Sequence, residues 1–246
     1  MKISIITVVY NAEKYIKDCV ESIIYQSHQD IEYIIIDGES IDGTLEVIKK
    51  YKQYLTHFVS EKDNGLYDAI NKGISLASGD VIGILNADDM LVNKDIVSQV
   101  ANAFINAPQI HAVYGNLNYI TATAGKVVRE WRSYQADKTD IEKGWMPAHP
   151  TLYVKRELFE LYGNYALDMG TAADYDLMLR YFHTYKIKAL YLPLLMVNMR
   201  LGGLSNRSII SLWNAMKFDY KALMRNKIPK ALLVLARKKL NKLSQF

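Results

Sequence analysis

Val81-Ile82-Gly83-Ile84-Leu85-Asn86-Ala87-Asp88-Asp89 runs from a short apolar stretch directly into two adjacent carboxylates. The first five residues have the length and composition of a strand buried on both faces, as in a parallel sheet. Two ionised neighbours at the end of such a strand repel each other and are costly beside a low-dielectric core without a compensating cation. In open α/β sheets the carboxyl ends of the strands are also where ligands bind. Two readings of the turn stand side by side. One is a hard divalent cation that holds phosphate oxygens; the other is an Asp that caps the following helix.

Outward from this stretch, strand-like runs occur at residues 3–9, 32–37 and 57–61, with the quoted one at 80–85. The gaps carry helical periodicity: Tyr15, Cys19, Ile23 and Ile24, then Leu45, Ile48 and Tyr51, then Leu66, Ile70, Ile74 and Ala77. Alternating short strands and amphipathic helices predict an α/β fold with a mostly parallel central sheet flanked by helices. Right-handed crossovers bring the strand ends at 7–11, 37–44 and 86–89 to one edge. Beyond residue 110 the pattern changes. It predicts a strand at 112–115, an extended segment at 127–134 after a turn at 123–126, and an irregular proline-bearing loop at 145–150. Helices follow from about 155 to 162 and from about 173, the second with Leu177, Met178, Tyr181 and Phe182 inward, then a strand at 188–192.

The 246 residues are half apolar, enough for a substantial core. The apolar runs are shorter than the roughly 18 residues a membrane span needs, and the first reads as a strand, not a signal peptide. Cys19 is the single cysteine, which excludes an intrachain disulfide and a thiolate metal cluster and makes a cytoplasmic setting the default. Charge is uneven. Residues 207–246 hold ten Lys and Arg against Asp219 alone, a local +9 in a chain of net +4, so the preceding residues carry −5.

Three motif absences narrow the chemistry. No G-x-G-x-x-G follows the first strand, no G-x-x-x-x-G-K-[ST] loop is present, and G-x-S-x-G is missing. What remains is a nucleotide site built on carboxylates and a metal. Asp37 ends a buried strand, where it could accept from a base N–H or a ribose hydroxyl, while Asp42 and Thr44 suit a turn or a helix N-cap. Asp68 and Asn71 lie one helical turn apart on one side, placed either for the base or sugar or for solvent. His149, between prolines, is a ligand or diphosphate contact or an ordinary structural histidine.

In order along the chain come Ser4-Ile5-Ile6-Thr7-Val8-Val9-Tyr10-Asn11, then D-G-x-S-x-D-G-T at 37–44, then E-x-D-x-G-x-Y-D-A-x-N-K-G at 61–73 and the acidic motif at 86–89. With Ala173-Asp174-Tyr175-Asp176 and Gly202-Gly203-Leu204-Ser205, this set resembles family 2 glycosyltransferases of the GT-A fold over about residues 3–205. The Tyr-Asp-Ala-Ile-Asn-Lys-Gly stretch is most similar to the branch that builds bacterial exopolysaccharide, capsule or lipopolysaccharide. The resemblance implies a hexosyl- or N-acetylhexosaminyltransferase with inversion at the anomeric carbon. Its donor is a nucleotide-diphosphate sugar, a UDP-sugar by default. Thr7, Val9, Tyr10, Asp37, Asp68, Asn71, Asn86 and Ala87 are the implied nucleotide-sugar contacts. Asp88 is the implied ligand of Mg²⁺ or Mn²⁺, with Asp89 and His149 as further candidates, and Asp174 is the implied catalytic base. Asn86 stands where many members have the first Asp of D-x-D, and Ala173 where the family usually has Glu. A sugar nucleotidyltransferase and a non-catalytic scaffold of a polysaccharide-assembly complex are the competing readings.

Residues 206–246 read as a basic amphipathic helical tail after a domain at 1–205. Ile209, Leu212, Trp213, Met216, Tyr220, Leu223 and Met224 fall at helical spacing; after Pro229, so do Leu233, Ala236, Leu240 and Leu243. Such a tail suits an anionic membrane surface, and hence a peripheral place at the inner face of the cytoplasmic membrane beside a lipid-linked glycan acceptor. Packing of the first helix on the domain is the alternative. Few aromatics alternate with the lysines, so nucleic acid is not an expected partner.

Overall fold

The computed structural model describes residues 1–122, 125–201 and 209–243. β1 (Ile3–Val9) pairs in parallel with β2 (Ile31–Asp37), from Ile3 opposite Ile31 to Val9 opposite Asp37. On its other side it pairs with β4 (Val81–Ile84), and β3 (His57–Ser60) extends the sheet beyond β2. The period-two alternation of β1 divides its side chains between two layers. Ile3, Ile5 and Val9 pack with α1 (Ile16–Ile24), α2 (Thr44–Lys49) and α4 (Ile96–Asn106); Ile6 and Val8 pack with α3 (Leu66–Leu76). α3 lies so close that a Cβ at Gly73 would strike the Ile6 side chain. This double cover explains why β1 is buried throughout.

The full strand order is β3-β2-β1-β4-β8-β6-β9-β5, with β7 (Val127–Trp131) on the far half of β6 (Ala112–Ile120). Several elements differ from expectation. Residues 153–155, where a helix was expected to start, form β8 (Tyr153–Lys155), antiparallel between β4 and β6, and the helix α6 begins later (Glu157–Tyr162). The late strand, expected to stop at 192, is β9 (Ala189–Arg200); it also pairs with β5 (Met90–Leu91), directly after the acidic turn. α4 and the short α5 (Lys138–Glu142) are additions. α7 (Ala173–Met178) continues as π-helical turns to Thr184, burying Leu177, Met178 and Tyr181.

α8 (Ile209–Arg225) and α9 (Ala231–Leu243) pack against the segment that carries α7. Ala222, Leu223, Ile228, Ala231, Val234 and Leu235 bury against Met169, Ala172, Ala173, Tyr175 and Leu179. The buried line of α9 is thus not the expected one. Leu233 is exposed, as are Leu232 and Ala236, so the helix shows apolar residues on two faces. The side chains of Ile209, Leu212, Leu240 and Leu243, and residues 202–205 of the expected terminal loop, lie outside the described residues. Among the described residues no helix is long and apolar enough to cross a membrane.

Candidate active site

The parallel registers of β1, β2 and β4 bring residues 10–11, 38–40 and 86–89 to one edge. Two loops there are stitched together. Asn11, in the left-handed region at φ 49°, accepts from the Ile41 N–H through Oδ1 (2.9 Å), and its own N–H donates to Ser40 Oγ (2.9 Å). Asn tolerates this conformation better than most residues. Tyr10 is 62% exposed at the lip. Asp63 packs closely over Gly38: a Cβ there would lie 2.5 Å from Asp63 Oδ2 and 3.6 Å from the Tyr10 ring.

The expected contacts separate into surface and interior groups. Thr7 is fully buried; its hydroxyl accepts from Tyr33 Oη (3.1 Å) and lies 3.7 Å from Cys19 Sγ. Val9 is buried and offers only its carbonyl, to the Gly38 N–H (2.9 Å). Asp37 is also fully buried, accepting from the Ser40 hydroxyl (2.5 Å) and N–H (3.1 Å) and from the Ser60 hydroxyl (2.7 Å). These bonds hold its carboxylate against the loop after β2. Asp68 holds the Asn64 N–H (2.9 Å), and Asn71 is consumed by the main chain of Tyr165, donating to its carbonyl (2.9 Å) and accepting from its N–H (3.0 Å). In this structure Thr7, Val9, Asp37 and Asn71 shape the site from behind.

The acidic turn is more discriminating than its sequence. Asp89 is fully buried and its carboxylate accepts from the Arg200 main-chain N–H (3.2 Å) and from Asn86 Nδ2 (3.3 Å). Burial, and then the Asp88 charge, push its carboxyl well above the usual range. Asn86 also anchors the turn through its carbonyl, which accepts from the Asp89 N–H (3.0 Å) and Cys19 Sγ (3.4 Å). Ala87 is buried between them. Asp88 is half-buried, and among the described residues its carboxylate is met only by its own main-chain N–H. Burial raises the Asp88 carboxyl, with Arg200 opposing. One uncommitted carboxylate at a strand end fits a divalent cation that draws most of its oxygens from a diphosphate. It does not make an all-protein cage: among the described residues no three His, Cys, Asp or Glu side chains converge.

Asp174 opens α7, its Oδ1 accepting from the Tyr175 N–H (2.7 Å). His149 sits on the 3₁₀ turn His149–Thr151, with Nδ1 3.7 Å from Asp174 Oδ2. The surrounding protein lowers the imidazole below its usual range, and the Asp174 charge pulls it back up. Tyr67, stacked on Tyr165 (centroids 5.5 Å apart), presents its hydroxyl to Asp174 as well. Sequence reasoning missed Tyr67, Arg200, Ser40 and Ser60. Ser40 and Tyr67 carried a signal, as fixed positions of the motifs at 37–44 and 61–73, and Ser40 also lies three residues after Asp37 at a spacing that favours such turns.

Among the described residues the strand-end edge thus holds one carboxylate without a side-chain partner, and a second acid, Asp174, opens a helix on a separate element. The model of Glycosyl transferase family 2 matches residues 4–171, and the chain belongs to that family. The PGL/p-HBAD biosynthesis glycosyltransferase of Mycobacterium tuberculosis is 29% identical over 208 residues, covering 82% of this chain and 78% of the relative. The chondroitin synthase of Escherichia coli is 29% identical over 184 residues, 72% of this chain but 26% of that longer protein. In fold, the chain resembles S. aureus TarS 1–349 in complex with UDP-GlcNAc, with a TM-score of 0.71 at 18% identity over 97% of this chain and 71% of that one. It also resembles the mannosyltransferase PcManGT from Pyrobaculum calidifontis in complex with GDP-Man and Mn²⁺ (TM-score 0.65, 16% identity, 96% and 68%). The GT-A architecture and the glycosyltransferase activity expected from the motifs both stand, ahead of a nucleotidyltransferase or a scaffold.

Proposed function

We propose that this glycosyltransferase is inverting and metal-dependent, and that it moves a sugar from a nucleoside-diphosphate donor to a hydroxyl of a lipid-linked glycan in bacterial surface polysaccharide or glycolipid synthesis. The observation that carries the reading is the split between Asp88 and Asp89. Of two adjacent acids, the fold commits one to β9 and leaves the other at the strand-end edge. In this reading Tyr10 and Asp63, which close in over Gly38, flank the base, and Asn86 and Ala87 lie beneath the donor. Asp88 holds Mg²⁺ or Mn²⁺, which when bound offsets the negative charge of the departing diphosphate. Asp174 accepts the proton of the acceptor hydroxyl as its oxygen bonds to the anomeric carbon and the bond to the diphosphate oxygen breaks. Attack from the face opposite the leaving group inverts the centre. The UDP-GlcNAc and GDP-Man complexes of the two structural neighbours support a sugar-nucleotide donor, and the chondroitin synthase supports a polysaccharide product.

Residues 1–205 form the catalytic domain in this reading. The tail at 206–246 adds a surface that faces anionic lipid, which places the protein peripherally at the cytoplasmic side of a membrane. A thermal-shift screen of UDP-, GDP- and dTDP-sugars with and without Mn²⁺ tests donor and metal together. One donor should stabilise the parent in a Mn²⁺-dependent way, and Asp88→Ala should erase the Mn²⁺-dependent part. An unchanged shift in Asp88→Ala removes Asp88 as the ligand.

A further inference from the structure

Arg200, at the end of β9, reaches the acidic turn through both its main chain and its side chain. Its N–H donates to Asp89 Oδ1 (3.2 Å), and Nη1 donates to the Asp88 carbonyl (3.0 Å). Nη2 pairs with Asp18 Oδ2 of α1 (2.5 Å), and the guanidinium lies 5.1 Å from the centroid of the Tyr15 ring. The side chain is only 9% exposed, so this cation is held away from water. Its Nε is buried without a hydrogen-bond partner, a desolvation cost the fold accepts at this position. One planar fork thus ties together three separate elements: α1, the turn after β4, and the end of β9. A lysine would bring a point charge to this place without the planar fork that Arg200 sets between the Asp88 carbonyl and Asp18.

Asp18, Asp88 and Asp89 are three carboxylates around this single guanidinium. Without it the Asp88 carbonyl would lose this side-chain donor and Asp18 its guanidinium partner. We propose that Arg200 is a positioning residue for the metal–diphosphate site. It holds the Asp88 peptide from behind, so that the carboxylate meets the cation already oriented, and it balances the surrounding acids before the cation arrives. This rests on the reading of Asp88 as metal ligand. Groups that orient a ligand from outside the coordination sphere typically govern metal affinity by about 10- to 100-fold.

The test is calorimetric titration of the full chain with UDP and with GDP, each in Mn²⁺ and in EDTA, for the parent, Arg200→Met and Arg200→Lys. Titration with Mn²⁺ alone, followed by the EPR signal of the free ion, runs alongside. In Arg200→Met the Mn²⁺-dependent part of nucleotide affinity should fall by about tenfold or more, while affinity in EDTA stays within about twofold. Arg200→Lys should fall between the two. Parent-like Mn²⁺ dependence in Arg200→Met overturns the proposal, as does an equal loss in Mn²⁺ and EDTA, which marks a purely structural role. If Arg200→Met does not fold, Arg200→Lys decides, and parent-like behaviour there overturns it. A parent whose affinity ignores Mn²⁺ overturns the Asp88 reading, and the Arg200 role with it, before any variant is compared.

Discussion

Asp174 and Asp88 are both acids beside an apolar layer, yet their surroundings suit different work. Asp88 has an arginine behind its peptide and, among the described residues, no side-chain donor on its carboxylate, whereas Asp174 has a histidine and a tyrosine hydroxyl facing it. A carboxylate that must receive a proton gains from neighbours that fix its direction. Asp174→Asn keeps the shape and removes the basicity. Turnover should drop by about 10²–10⁴-fold with donor affinity unchanged; retained turnover in a radiolabelled sugar-transfer assay refutes the assignment. At this scale the sequence disclosed which residue types matter but not which way they face. Asp37 looked like a base contact because it ends a strand. Ser60, on the neighbouring strand, fixes its carboxylate, and no local spacing reveals that partner. Arg200 was invisible for the same reason, 111 residues from the turn it supports.

Among the elements, the first hundred residues were legible because each strand and helix there is long enough to show its period and pairs with a near neighbour. β8 has three residues and no period, and β9 was cut short because its partners, β6 and β5, are distant in the chain. One element-scale device was not foreseen either. Glu32, on β2, is 1% exposed and accepts from the Ser4 hydroxyl (2.5 Å), the Ser78 N–H (2.7 Å) and hydroxyl (2.6 Å), and Lys2 Nζ (3.1 Å). It ties β1, β2 and the turn before β4 into one unit. Burial alone would raise its carboxyl, but these donors bring it down from 4.5 to about 2. A carboxyl lowered by folding stabilises fully above its unfolded value, so this contribution is complete above pH 4.5 and is lost as pH falls towards about 2. Glu32→Gln should lose on the order of 3 kcal/mol at neutral pH and flatten the fall in Tm across that acid window. Parallel Tm–pH curves for parent and variant count against the hub.

At the scale of the whole molecule, the tail is fastened to the domain. Lys238 Nζ sits 3.5 Å above the Tyr175 ring and 3.0 Å from Asp219, and Lys221 pairs with Asp168 (2.8 Å). Truncation after Pro229 would strip Ala231, Val234 and Leu235 from the core beneath α7, so loss of membrane binding in such a variant would be ambiguous. The outer face gives a cleaner test. Leu232 and Leu233 are 68% and 57% exposed beside the exposed Lys227, Lys230 and Arg237. Each leucine is worth about 1.5–3 kcal/mol when fully buried. Leu232→Ser with Leu233→Ser should therefore release the protein from vesicles containing phosphatidylglycerol, with Tm unchanged; undiminished co-sedimentation rules this face out. The tail's amphipathicity was legible, but a helix with two apolar faces presents both in one periodicity, and only packing assigns them. The bond from Asn71 to the main chain of Tyr165 joins α3 to the segment before α7 through the side chain of one and the backbone of the other, and the Tyr67 ring stacks on that of Tyr165. For anyone recombining halves of related transferases to obtain new linkages, the constraint is two-sided. The first half must bring the amide at 71, and the second must keep an aromatic ring at 165 for Tyr67 to lie on.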